Sequence, residues 1–207
     1  MTTNEAIHDI AHLGHVEMLT PKPEESLRFF VDVMGMTISG RKGDSVYLRG
    51  WDDYEHHSLQ LTASAKPGLG HYALRAASPQ ALQRRVEAIE KSGLGKGWKD
   101  GSVGHGPAYC FTDPDGHPME IYYETEWYQP SAETKPALKN QASRYSDRGV
   151  GVRRLDHIAL FASDVTSNRK FMQETLGGRM TEQIIYDDGS EKAAWVTFTN
   201  KTYDVTF

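Results

Sequence analysis

The feature that most constrains this chain is an internal repeat. Leu13-Gly14-His15-Val16-Glu17-Met18-Leu19, Leu69-Gly70-His71-Tyr72-Ala73-Leu74 and Leu155-Asp156-His157-Ile158-Ala159-Leu160-Phe161 each run Leu, then Gly or Asp, then His, then a short strand-like stretch. A unit that recurs in this way is one supersecondary module, so the architecture is an array of copies and not one continuous sheet or bundle. The segments that follow each His agree. Pro23 to Met34 places Leu27, Phe30, Val31 and Met34 at the i, i+3, i+4, i+7 spacing of an amphipathic helix, closed by Gly35. In the second unit Ser78 reads as an N-cap, Pro79 as the first helical residue, Leu82, Val86 and Ile89 as the buried stripe and Gly93 as the stop. In the third, Phe171, Met172 and Leu176 precede Gly177-Gly178.

Strand-like runs complete each unit: Ser45 to Arg49 and Ser58 to Thr62, Ala108 to Thr112 and Met119 to Tyr123, Ala193 to Thr199 and Tyr203 to Phe207. The predicted fold class is α+β, built from tandem βαβββ modules. Residues 1–127 form an N-terminal domain of two modules, and residues 128–151, polar and without apolar period, form a surface linker. Residues 152–207 form the first module of a second domain. The β-rich run Thr202 to Phe207 has no polar tail, and a terminal edge strand is a poor ending, so a fourth module is expected beyond it.

Charge and cysteine content exclude several classes. Lys and Arg total 23 against 28 for Asp and Glu, so no basic excess is available for a nucleic-acid backbone. The one cysteine, Cys110, forms no internal disulfide, the N-terminus has no secretory pattern, and no apolar run approaches a membrane span. A soluble, cytoplasmic protein is expected.

Two imidazoles and a carboxylate on neighbouring strands make a facial triad with open cis positions, a set suited to Fe(II) oxygen chemistry. His15 and His71 occupy the same place in paired units, and Glu120 lies in the last strand of the second. If the two units pack about a pseudo-twofold axis, the His-bearing strands meet at the centre of a half-open barrel. His117, within Asp113-Pro114-Asp115-Gly116-His117-Pro118, reads as an exposed turn residue. His56, His57 and His105 could be ligands or proton carriers, although nothing about their spacing requires it. Cys110 reads as packed, and Gly93 to Gly106 lacks the setting of a phosphate loop.

The chain resembles the type I extradiol ring-cleaving dioxygenases of the vicinal oxygen chelate superfamily, most closely the branch that opens catechol at its 2,3-bond. The resemblance runs from Leu13 to Phe207. Its most specific pieces are Arg154-Leu155-Asp156-His157, Val46-Tyr47-Leu48-Arg49, Asp113-Pro114 through Tyr123-Glu124-Thr125-Glu126, and Ala193-Ala194-Trp195. It implies Fe(II) held in the second domain, with His157 as the first ligand and the others beyond residue 207. His15, His71 and Glu120 would then be a second set, in the domain that this family usually leaves metal-free. It further implies cleavage of catechol or a substituted catechol by O2 to a 2-hydroxymuconate semialdehyde, and a homo-oligomer, a tetramer by resemblance. Trp195 matches a position lining the substrate pocket. Tyr203 stands where the family bears a His acting as acid and base, and a phenol near pKa ~10 donates a hydrogen bond but is a poor base at neutral pH. Two alternatives keep the fold: a glyoxalase-like isomerase or epimerase using the first-domain triad with another divalent metal, and a metal-free small-molecule-binding module.

Overall fold

The computed structural model describes residues 8–145 and 147–207; residues 1–7 at the head of the expected first domain, and residue 146 in the expected linker, lie outside the described residues. Strand β1 (Ile10–Thr20) leads to helix α1 (Pro23–Arg28), which continues as a π-helical turn over Phe29–Val33. Then come β2 (Thr37–Lys42), β3 (Ser45–Arg49) and β4 (Leu59–Ala63). The second unit repeats this with β5 (Gly68–Ala76), α2 (Pro79–Ser92), β6 (Gly95–Lys99), β7 (Ala108–Thr112) and β8 (Pro118–Tyr122). The third comprises β9 (Ile158–Ala159), α3 (Val165–Lys170) with its own π-helical turn over Phe171–Thr175, β10 (Arg179–Ile185), β11 (Glu191–Thr197) and β12 (Val205–Thr206). Strands β2, β6 and β10 were not among the expected runs, because none has a buried residue and each carries Gly or charge in place of an apolar pattern.

The helices end as the sequence pattern implies. Ser78 accepts the Ala81 amide at 3.0 Å as the N-cap of α2, and Gly35, Gly93 and Gly177 close the three helical segments at φ 74°, 77° and 78°, a conformation costly for a residue with a Cβ.

Sheet order makes the repeat explicit. The first sheet runs β2-β3-β4-β1-β5-β8-β7-β6 and the second β10-β11-β12-β9. In each unit the opening strand lies parallel to the closing strand: β1 with β4, β5 with β8, β9 with β12. The first two units join edge to edge through the antiparallel pair β1–β5. One face carries the main core, where Leu13, Tyr72, Leu74, Met119 and Ile121 pack with Val86 and Ile89 of α2. That core continues into the third unit through Phe171, Met172, Leu176, Val196 and Val205, with Phe111 and Phe171 ring centroids 6.2 Å apart. Arg85 reinforces the junction by donating to the Thr175 carbonyl at 2.8 Å.

The expected linker wraps the first unit and is tied to it by backbone bonds: the Val150 amide donates to Val33 O at 2.9 Å and the Tyr128 amide to Tyr54 O at 2.9 Å. Arg49, only 1% exposed, anchors the same segment by donating to Ser143 Oγ at 3.1 Å and lying 3.7 Å from the Tyr128 ring centre.

In the third unit Asp204, fully buried, organises the approach to β12. Its Oδ2 accepts from the Phe198 amide at 2.7 Å and Thr197 Oγ1 at 2.9 Å, and Lys201 Nζ lies 2.7 Å from Oδ1. Burial works to raise this carboxyl, but Lys201 and the donors around it leave it below the usual carboxylate value. A depressed folded-state pKa gives stability that is full above about pH 4 and is lost as pH falls through the lower folded value. Asp204→Asn is therefore expected to cost about 2 kcal/mol at pH 7. The gap between variant and wild type, read from urea midpoints, should narrow steadily as the pH is taken below 4.

Candidate functional site

The face of the first sheet opposite the main core gathers the imidazoles. Between Leu13, opposite Leu74, and His15, opposite Ala73, β1 spends two residues against one on β5. This bulge turns His15 away from the face that Leu13 occupies. Ala73 pairs in turn with Glu120 of β8, and Glu120 with Cys110 of β7, so His15, Ala73 and Glu120 stand in one row across three strands. His71, two residues before Ala73, shares its face and sits opposite Glu17. The small Ala73 side chain leaves the space above it to the flanking groups.

The donor atoms converge. His15 Nε2 lies 3.0 Å from His71 Nε2, and each is 3.2 Å from Glu120 Oε1. His105, from the loop between β6 and β7, brings its Nε2 to 3.4 Å from the same oxygen. His15, Glu120 and His105 are 1%, 1% and 8% exposed. The remaining ring nitrogens are held from behind: His71 Nδ1 is 2.9 Å from Glu17 Oε2, and His105 Nδ1 is 2.9 Å from the Gly106 carbonyl. Lys99 Nζ contacts the other Glu120 oxygen, Oε2.

The protonation states follow from the burial and the two carboxylates. Burial pushes His15 down to about 4. Burial lowers His71 as well, but Glu120 and Glu17 beside it more than offset this and leave it at about 8. Burial alone would raise Glu120, whereas His15 and His71 hold it far below the usual carboxylate range. Burial drives His57 well below the ordinary imidazole value and lowers His105 too. A charged His71 donating to Glu17 and to neutral His15 fits these directions.

Sequence reasoning brought His15, His71 and Glu120 together, and the structure does the same. It left His105 and His57 undecided, because their loop positions carry no periodic signal, and missed Lys99, on an unexpected strand. Glu17 was legible: two residues after His15 in a strand, it had to share a side of the sheet with it. His117 is not the exposed turn residue expected. It is half-buried, with Nδ1 2.7 Å from Asp113 Oδ2, because the turn folds its ring back on that buried carboxylate.

In the third unit His157 directly precedes the short strand β9 and is exposed, with Nδ1 2.8 Å from Asp156 Oδ2. Tyr203 meets it edge-on, ring centroids 4.6 Å apart. Tyr203 lies in the loop before β12 and not within the strand expected for it. Trp195 is half-buried on β11, opposite Thr206, which is itself opposite Ala159.

The parallel registers align the three units. Val16 pairs with Leu59, Tyr72 with Met119 and Ile158 with Val205. One residue back stand His15, His71 and His157; one residue on from the closing-strand partner stand Gln60, Glu120 and Thr206. The loop residue two before that partner is His57, His117 or Tyr203. The ring pair His157–Tyr203 thus repeats the pair His15–His57, whose centroids are 4.7 Å apart. Only the second unit supplies a carboxylate at the closing-strand position.

The model of the Glyoxalase/Bleomycin resistance protein/Dioxygenase superfamily matches residues 12–121, just over half of the chain. The chain belongs to this superfamily. The α+β βαβββ modules expected from the sequence are therefore both observed and shared with known relatives. A metapyrocatechase of Geobacillus stearothermophilus is 51% identical over 203 residues, 98% of this chain and 62% of that protein. A manganese-dependent 2,3-dihydroxybiphenyl 1,2-dioxygenase of Geobacillus genomosp. 3 is 32% identical, over 95% of this chain and 63% of its own length. The chain thus spans a little under two thirds of these relatives. A structure of homoprotocatechuate 2,3-dioxygenase from B. fuscum superposes with a TM-score of 0.82 at 30% identity, covering 96% of this chain and 53% of that one. No helix among the described residues is long and apolar enough to cross a membrane.

Gly14, the extra residue of the bulge, tests the packing behind this face. A Cβ there would come within 2.2 Å of Tyr122 Oη, which donates to Glu55 Oε2 at 2.7 Å. Gly14→Ala should destabilise the protein by about 2 kcal/mol through overpacking. In a Tyr122→Phe background, where the clashing oxygen is gone, chemical denaturation should show a clearly smaller cost; equal costs in both backgrounds would mean that the backbone, not the phenol, resists the methyl.

Proposed function

We propose that this chain is part of an extradiol dioxygenase that opens catechol or a substituted catechol with O2 to a 2-hydroxymuconate semialdehyde, with Fe(II) as cofactor. The observation that carries this reading is the 51% identity, over 98% of the chain, to a protein named metapyrocatechase. The domain division read from the sequence goes with it: two modules in residues 1–127, a wrapping segment at 128–151, and a catalytic module from 152.

His157 fits as one metal donor. Its Nδ1 is engaged by Asp156, which leaves Nε2 as the free lone pair. The third unit has the pattern of the first, a His with no carboxylate at the closing-strand position, so the other donors come from a second-type unit outside these 207 residues. When bound, the metal supplies the redox step and a meeting point for both catechol oxygens and O2. What this chain contributes is placement. Tyr203, edge-on to His157, holds a hydroxyl where it can donate a hydrogen bond to an oxygen at the neighbouring position. Trp195, on the same side of the second sheet as Ala159 and Thr206, gives a flat apolar wall for an aromatic ring. Manganese is the competing metal, since one relative is named for it. The reading also carries a cytoplasmic homotetramer acting on small molecules, without nucleic acid or membrane.

The protein carrying this sequence, loaded anaerobically with Fe(II) and mixed with catechol in air, is expected to form a yellow ring-opened product and to take up one O2 per catechol; absence of product and of oxygen uptake would overturn the assignment. Tyr203→Phe should lower kcat by roughly 100-fold with KM for catechol nearly unchanged, as befits a proton donor used after the substrate is seated. An unaltered kcat would reduce Tyr203 to packing.

A further inference from the structure

We infer that the first sheet holds a second divalent transition-metal ion, in a buried and coordinatively closed site made by His15, His71, His105 and Glu120. This site plays no part in the ring-opening reading, and its four donors differ from His157 in every respect that matters to a metal.

The first argument is spacing. With metal–nitrogen and metal–oxygen bonds of about 2.0–2.2 Å, neighbouring donors stand roughly 3.0 Å apart in an octahedral shell and about 3.4 Å apart in a tetrahedral one. The contacts among these groups are 3.0, 3.2, 3.2 and 3.4 Å. His15, His105 and Glu120 offer ligand atoms that all lie within 4.8 Å of one another; His71 is not part of that mutual set and joins it through its contacts with His15 and Glu120.

The second argument is an unmet need. Glu120 Oε1 is buried and has no hydrogen-bond partner, although three imidazole nitrogens lie within 3.4 Å of it. The nitrogens surround the oxygen without any of them directing an N–H along a proper hydrogen-bond line, as donors do when they converge on a point between them. Lys99 and the charged His71 already oppose the charge of this carboxylate, so what remains unmet is the pairing of Oε1 itself, a buried acceptor left without a partner. Lys99 reaches only the other oxygen, which leaves Oε1 free for monodentate ligation.

The third argument is support from behind. Glu17 on His71 Nδ1 and the Gly106 carbonyl on His105 Nδ1 hold those rings with Nε2 forward, the outer contacts that orient metal-bound imidazoles.

The class of site follows from burial. Four donors in a tetrahedral shell leave no open position for a catechol. The cavity of about 610 Å³ nearby is lined by Gly14 and His57 and by none of the four donors. The ion is therefore structural, joining the two modules at their shared β1–β5 seam, and its class is a borderline divalent metal that takes imidazole and carboxylate, such as zinc, cobalt or manganese.

Co(II) is the probe, because its visible absorption is intense in a four-coordinate shell and weak in a six-coordinate one. The metal-stripped chain is expected to take up one equivalent of Co(II) with an intense visible band and a rise in Tm. Glu120→Gln and His105→Gln should each abolish the intense band with the far-ultraviolet circular dichroism unchanged. Glu17→Gln should keep the band and weaken binding by about 10-fold to 100-fold. His157→Gln should leave the band as it is. No Co(II) uptake by the wild-type chain, a weak band indifferent to His105→Gln, or loss of the band in His157→Gln would each overturn the site. Ring cleavage does not enter this readout, so a chain that binds Co(II) here and opens no catechol defeats the dioxygenase reading alone.

Discussion

The antiparallel seam between β1 and β5 is the contact on which the rest of the first sheet depends. It joins two modules that each pair their own first and last strands in parallel, and it sets the row His15, Ala73, Glu120 across three strands. A slip of one residue along this seam would turn every side chain on β5 to the other face, moving His71 and Ala73 into the apolar core and Tyr72 and Leu74 out of it. Tyr72 and Leu74 are fully buried against α2 and the third module, so the apolar core itself locks the register that assembles the polar face. The bulge at Gly14 is one of three register shifts along this seam, and the close approach of Tyr122 there explains why the inserted residue is glycine.

The repeat was legible because the same short pattern must serve the same turn and strand three times. The Leu-X-His openings, the helix stripes and the glycines that close each helix follow from local chemistry, and all three copies obey it. The meeting of His15, His71 and Glu120 was legible for the same reason: equivalent positions in paired modules meet at the seam, and Glu120 is carried by a strand with a readable apolar pattern. What was hidden lies where periodicity fails. His105 comes from a loop pinned by an isolated bridge to Thr125, and Lys99 from a strand whose glycines and exposed alternate residues look like coil. Arg49, in a motif that was noticed, gave no hint that its guanidinium is buried to hold the 128–151 segment, because that role exists only once the segment folds back.

The three modules also show how one scaffold divides its duties. At the closing-strand position they carry Gln60, Glu120 and Thr206, and these three side chains do different work. Gln60 donates to Glu17 at 2.7 Å and so steadies the carboxylate that backs His71. Glu120 supplies negative charge at the seam. Thr206 is neutral and short, which leaves His157 without a carboxylate across the strand. A first-type module therefore presents a histidine, and a second-type module presents a histidine and a glutamate. The seam is the device that adds the two contributions together.

From this arithmetic it follows that His157 and His15 are the same part placed in different company. His15 meets its second-type partner within the first sheet, is buried, and has its basicity suppressed by burial. His157 is half a seam: the edge of β9 that corresponds to the paired edge of β1 has no strand hydrogen-bonded to it among the described residues. An exposed imidazole held by Asp156 and flanked by a phenol keeps its lone pair available, whereas one sealed among three other donors has given up any open position. Under the two proposals made above, turnover belongs to the third module and a held ion to the first, and one module design gives both environments through the difference in burial of its histidine.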